Sequence, residues 1–467
     1  MADSPLNRIP SISQLMELRP LKDLAQRASS TAVAAGIKAY LEPYQRRALA
    51  AAPPMPYASL QSLATDISSW ILGERGLARP EVINASGEVL SRNFPVGPLA
   101  EEVVVQAHAR RHDYRLGSAQ GDFQEAVEKL LCDLTGAEAV LILKDRPAAI
   151  YLTAMSLASR PVVVPRSQMA KTFDGINLPA IMEQLSGLQE VGASNRIDFD
   201  ELRAELPGQP ERLFWFDRSN FDAPATAAIP PTAEALAQLT SLNVPLWVDL
   251  GVAGLTRDAL HEQLGLCSVQ NALANGATVA IAGGGFLFGG PTCGLIFGSG
   301  EAISALRREP IAAYLQAGTT GLAELEASLQ VHLSGERVED RIPVLSLLST
   351  SLENLDLRAT RLAAQLVHSP WVEAAETRLA DVQVLPGCQL MPTRQVVLTR
   401  KKNLPPERQS LEFLLETFPG IQCREASEEK IVLDLRTIFP RQDAEVVQKF
   451  MTPDSSGEGI AAEMCEN

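Results

Sequence analysis

The chain has 467 residues, of which 46% are apolar, 21% charged and 5% aromatic, and its net charge is −15. At roughly 150 residues per domain this is enough ordinary globular sequence for about three domains. A disordered, collagen-like or disulfide-stapled chain is excluded, and so large an acid excess argues against a protein that coats DNA through its whole surface.

The first 78 residues read as helices. Apolar residues recur at helical spacing over Leu15 to Arg27 and Thr31 to Leu49, and AAPPMPY (51–57) reads as a break. This segment is slightly basic within an acidic chain. That balance fits either a solvated helical face or an appended module that touches phosphates.

From about residue 79 short apolar runs alternate with helix-like segments. The runs are AVLILK (139–144), PVVVP (161–165), RLFWF (212–216), VPLWVDL (244–250), TVAIA (278–282) and CGLIF (293–297). Buried runs separated by helices predict a mostly parallel sheet covered on both faces. One helix is expected to be capped by Asp122 and to end at Gly136. Residues 276–300 carry no charge, but nine glycines and Pro291 break the stretch. It reads as strand, glycine loop and strand rather than a membrane span, since glycine is costly in a helix. Beyond residue 309, helical patterns over Gly321–Leu333 and Val344–His368 lead to a small α+β portion with strands at 394–401 and 430–436. The polar tail 453–467 reads as disordered.

The six cysteines (Cys132, Cys267, Cys293, Cys388, Cys423, Cys465) are dispersed, which points to a reducing, cytoplasmic setting. No basic segment followed by an apolar run opens the sequence, so no signal peptide is expected. His108 and His112 are spaced like metal ligands but lack a third partner in sequence, so no metal site is expected.

An ordered set of strings resembles one family. RPEVINASGEVLSRNFPVGPLA (79–100), NRIPSISQLM (7–16), LTGAEAVLIL (134–143), EVGASNRIDFDELR (190–203), VDLG (248–251), FGGPTCGLIFG (288–298) and LAELEASL (322–329) follow the order of the selenocysteine synthase, or L-seryl-tRNA(Sec) selenium transferase, family. The resemblance implies an aspartate-aminotransferase-like, fold type I pyridoxal-phosphate transferase with a mostly parallel seven-stranded sheet. It also implies a tRNA-contacting helical domain at 1–78, a large domain at 79–320, and a long helix with a small α+β domain at 321–452. Homo-oligomers built from dimers are implied as well, without membrane or DNA partners.

Such enzymes hold their cofactor through a Schiff-base lysine, an acid that pairs with the pyridine nitrogen, and a helix start that binds phosphate. The family's Ser-Gly-Asp-Lys-Leu-Leu-Gly-Gly-Pro aligns with AGGGFLFGGP (282–291), which places Phe286 at the lysine position. A phenyl ring cannot form an imine. The phosphate-loop Asn-Asn-Asn-Ala aligns with Lys144, Asp145, Arg146 and Pro147. Lys144 and Arg146 could still bind an anion, whereas Pro147 lacks an N–H and Asp145 would repel a phosphate.

The substrate arginines align within QGDF (120–123) and with Ala313 and Gln316, and are lost. A family histidine aligns with Asp217. Asp249 survives at the pyridine-pairing position, together with Asn195 and Arg196 of the loop motif. Each of these could equally serve a structural turn.

The expectation is a paralogue that keeps the fold, binds pyridoxal phosphate doubtfully and not covalently, and acts in binding or assembly. Two alternatives stay open: an active selenium transferase or carbon–sulfur lyase-like enzyme using a displaced lysine such as Lys144 or Lys171, and a new ligand in the vacated cleft gated by the loop 283–290.

Overall fold

The computed structural model describes residues 10–27, 29–50, 60–74, 82–110, 119–156, 161–185, 187–206, 212–222, 229–401, 420–427 and 429–451. The break at 51–57, His112, Cys465 and the tail 453–467 lie outside the described residues.

Helices Ile12–Met16, Arg19–Arg27, Ser30–Ala50 and Leu60–Glu74 form the N-terminal part. They bury Leu15, Leu21, Val33, Ile37, Leu63, Ile67 and Ile71 in a core of their own. A Cβ on Gly36 would lie 2.6 Å from the Ile71 side chain, so only glycine lets the two long helices approach this closely there.

A short strand, β1 (Val82–Asn84), follows. The central sheet comprises β2 (Ala139–Leu143), β3 (Val162–Pro165), β4 (Leu188–Val191), β5 (Arg212–Phe216), β6 (Leu246–Asp249), β7 (Val279–Gly283) and β8 (Gly294–Gly298), in the order β2-β8-β7-β6-β5-β3-β4. Among these seven strands β8 alone runs against the others. β3, β6, β7 and β8 are buried along their whole length, which is why their sequences are apolar runs rather than alternations. The uncharged stretch 276–300 is thus the β7–β8 pair and its glycine turn. Among the described residues no helix is long and apolar enough to cross a membrane.

The edge strand β4, with sequence LQEV, escapes an apolar-run reading because its two central residues are exposed. The helix ending at Gly136 begins at Ala119, which places Asp122 inside it and not at its cap.

The C-terminal part contains β9 (Val372–Val382), β10 (Met391–Arg400), β11 (Gly420–Gln422), β12 (Arg424–Ser427) and β13 (Lys430–Asp434). Its sheet runs β12-β13-β10-β9, while β11 pairs with β1 in parallel. β9 (VEAAETRLADV) reads like a helix in composition. It is an edge strand with a largely exposed surface, where cross-strand pairing with β10 overrides propensity.

The expected helix 344–368 is two helices, Pro343–Ser349 and Leu352–Leu366, broken where Ser351 caps the second. The buried Arg436 donates to the carbonyls of Leu347, Leu348 and Thr350 at that break, satisfying the open end of the first helix. Leu322, Leu325, Leu329 and Leu348 pack into the large core. Leu355, Leu362 and Leu366 pack into the C-terminal core. The helices thus change from one core to the other near residue 350, while Val382, Val384, Leu385 and Met391 return to the large core and Ile83 and Ala85 join the C-terminal one.

Candidate functional site

Ligands of open, mostly parallel sheets gather at the carboxyl ends of the strands. Five segments converge there. Asp249 is the last residue of β6. Asn220 lies in the turn that follows β5, and Asp174 in the loop that follows β3. Arg146 opens the helix Arg146–Met155 that follows β2. Phe286 sits in the turn after β7.

Arg146 joins these segments. It is 2% exposed, while Asp249 and Asn220 are fully buried. Arg146 Nη1 donates to both carboxylate oxygens of Asp249 at 3.0 Å and to Asn220 Oδ1 at 2.6 Å. Nη2 donates to both oxygens of Asp174, at 2.7 and 2.8 Å. The Gly251 N–H adds a 2.8 Å bond to Asp249. Thr172 Oγ1 and Asp174 Oδ1 lie 2.5 Å apart. Burial alone would lower the pKa of Arg146, but Asp249 and Asp174 outweigh it and hold the guanidinium charged more firmly than usual. Burial pushes the Asp249 carboxyl up, against the pull of Arg146 and the Gly251 N–H.

Phe286 lies over this cluster. Its ring centroid is 5.6 Å from the Arg146 guanidinium carbon and 5.8 Å from the Phe173 ring. The turn is built around the phenyl ring. A Cβ on Gly283 would lie 2.4 Å from the Phe286 ring, and Gly289 adopts φ +68° while its N–H bonds the Phe286 carbonyl. Residues 283–290 are all buried. Cys293, beside the turn, offers no replacement nucleophile, because burial pushes its thiol up to about 12.

The helix start after β2 is also filled. Asp145 is its N-cap, and its carboxylate accepts the Ala148 N–H at 2.7 Å, with Pro147 in the first turn. An acid thus stands at the helix end whose dipole favours an anion.

These residues do not fit pyridoxal phosphate. The Asp249 carboxylate already holds a guanidinium, the helix start already holds a carboxylate, and Phe286 fills the turn after β7 with a ring that offers no amine.

The remaining sequence candidates lie elsewhere. Lys144 is exposed, with its N–H bonded to the Leu315 carbonyl, and Lys171 is exposed on the loop before Asp174. Asn195 is exposed, and Arg196 pairs with Glu201 on the surface. Asp217 is buried, accepting the N–H groups of Ser219 and Thr232. Of the sequence candidates the structure brings together Asp249, Arg146 and Phe286. Sequence reasoning does not single out Asp174 or Asn220. Their only signal is position, shortly after β3 and β5.

The sheet order, its single reversed strand and the acid closing β6 define an aspartate-aminotransferase-like fold of the pyridoxal-phosphate transferase class. A solved structure of D-glucosaminate-6-phosphate ammonia-lyase is similar, with a TM-score of 0.56 and 18% identity over 82% of this chain and 97% of that one. Aspartate aminotransferase of Thermus thermophilus aligns with a TM-score of 0.41 and 16% identity, over 83% and 95%.

The SelA family of L-seryl-tRNA selenium transferases matches residues 82–439, and the chain belongs to that family. Curated relatives named L-seryl-tRNA(Sec) selenium transferase include that of Methylocella silvestris, 29% identical over 395 residues, covering 82% of this chain and 83% of the relative. That of Hyphomonas neptunium is 28% identical over 375 residues, covering 77% and 80%. That of Geotalea daltonii is 32% identical over 302 residues, covering 61% and 63%.

Proposed function

We propose that this chain is a non-catalytic member of the selenium transferase family that works by binding or assembly. The observation that carries the reading is the Arg146 guanidinium seated on Asp249 beneath Phe286. A group that must be captured as an aldehyde has no amine here to capture it, and its ring nitrogen has no free acid to face. Loss of one acid–base group costs roughly 10²–10⁴ in rate, and covalent activation is lost besides.

The wider reading follows the family: a cytoplasmic homo-oligomer based on dimers, whose helical segment 1–78 contacts tRNA. The slight basic excess of that segment supports the tRNA part of this reading. A filter-binding assay with tRNA under salt titration tests it. Affinity that falls with salt is expected, and affinity without a salt slope overturns phosphate contact.

The central test is absorbance of the purified protein with added pyridoxal phosphate, followed by borohydride reduction and peptide mapping. No pyridoxyl-lysine is expected. A label on Lys144, Lys171 or any other lysine overturns the reading and returns the chain to the working transferases.

A further inference from the structure

Two residues of the glycine turn face a different space. Leu287 and Phe288 line a cavity of about 420 Å³ that Phe286 does not fill, within the range of small-molecule sites. Its walls are apolar, from Leu134, Leu260, Leu287 and Leu345.

Its polar lining consists mainly of acceptors. His261 receives the Gly254 N–H on Nε2 at 2.8 Å, so its proton sits on Nδ1 and points to Asp258 Oδ1 at 2.7 Å. Asp258 Oδ1 thus takes the imidazole N–H, and the carboxylate, 44% exposed, stays open to a further donor. Asp258 Oδ1 also caps the helix Ala259–Leu264 by accepting the His261 N–H. The His332 ring lies flat on Phe288, with centroids 4.5 Å apart, and its Nε2 sits 2.8 Å from the Phe288 carbonyl. The proton of His332 is therefore on Nε2, and Nδ1 keeps a lone pair. Glu339, also in the lining, shares one oxygen with Arg337 at 3.2 Å. Among the described residues, no lysine or arginine lines the cavity.

We infer that this cavity binds a small organic ammonium ion with a short apolar body. The ammonium donates to Asp258 and His332 Nδ1, and the hydrocarbon rests on the leucines. The inference is independent of whether the chain catalyses anything, because it uses none of the residues around Arg146.

Calorimetric titration of the full-length protein with n-butylamine and cyclohexylmethylamine tests it, with 1-butanol and butyrate as neutral and anionic controls. Both amines are expected to bind, and both controls at least roughly tenfold more weakly. Asp258→Asn keeps a good helix cap and should weaken amine binding roughly 10- to 100-fold. Ala259→Trp, at an exposed position in the cavity lining, should block it by filling the space. Binding of 1-butanol as tight as butylamine overturns the inference. So does unchanged amine affinity in both variants, or no binding of either amine at tens of millimolar.

Discussion

Arg146 Nη1 stands 3.0 Å from each carboxylate oxygen of Asp249, in a place sealed from solvent. The contact makes Asp249 one half of an internal ion pair, so its carboxylate is not free to face a ligand. The guanidinium needs a flat, apolar neighbour above it, and Phe286 supplies one. The two side chains complement each other.

The first prediction concerns that coupling. Phe286→Lys alone should capture little pyridoxal phosphate, since Asp249 remains occupied. Phe286→Lys with Arg146→Asn frees the acid and should raise capture at least roughly tenfold, about 1.4 kcal/mol. Absorbance and borohydride-fixed label measure both. Equal capture by the single and double variants would show that Arg146 is no obstacle.

Stability provides an independent reading of the same cluster. Arg146→Met leaves the buried Asp249 and the partly buried Asp174 together without their cation, a change expected to cost about 3–5 kcal/mol. Adding Asp249→Asn removes one of the stranded charges and should recover at least about 1 kcal/mol. Urea melts of the wild type, both single variants and the double variant close the cycle. Strictly additive losses would mean that the two side chains are not coupled.

A second buried pair serves the C-terminal core. Arg358 reaches both oxygens of Asp443, at 2.7 and 3.1 Å, and the Ile438 carbonyl at 2.8 Å. Arg361 adds a bond to Asp443 from an exposed position. Asp443→Ala leaves the buried Arg358 cation without its carboxylate, and should cost about 3–5 kcal/mol. Arg361→Ala, at the exposed end, should cost no more than about 1 kcal/mol. Limited proteolysis should show early cutting in the C-terminal sheet of Asp443→Ala and near-native resistance in Arg361→Ala.

The sequence makes the central sheet legible because its strands are buried on both faces and therefore stand out as apolar runs. β4 and β9 do not, since edge strands carry polar residues that composition cannot tell from loop or helix. The site is legible only in part. Asp249 and Phe286 lie on recognisable strings, and Arg146 stands out as a cation at a helix start. The partner of that cation is not visible, because Asp174 and Asn220 come from loops 28 and 74 residues away in sequence. Their approach is fixed by strand order, not by any local pattern. An arginine that looks free for an anion is, in the fold, enclosed by acids.

The last prediction follows from His332. Burial holds its imidazole below the usual 6.5, although the bond to the Phe288 carbonyl acts the other way. In the unfolded chain the ring titrates at the ordinary value, so between 6.5 and the lower folded value the unfolded state binds more protons. Stability from this residue is complete above 6.5 and falls as the pH drops through and below it, by at most about 1.4 kcal/mol per pH unit. Gln at this position can still donate to the Phe288 carbonyl but cannot titrate. Urea midpoints measured from pH 7.5 to 5.0 should therefore decline less steeply in His332→Gln than in the wild type. Parallel declines would mean that the ring takes up its proton as readily inside the fold as outside it, and that Phe288 does not shield it from water.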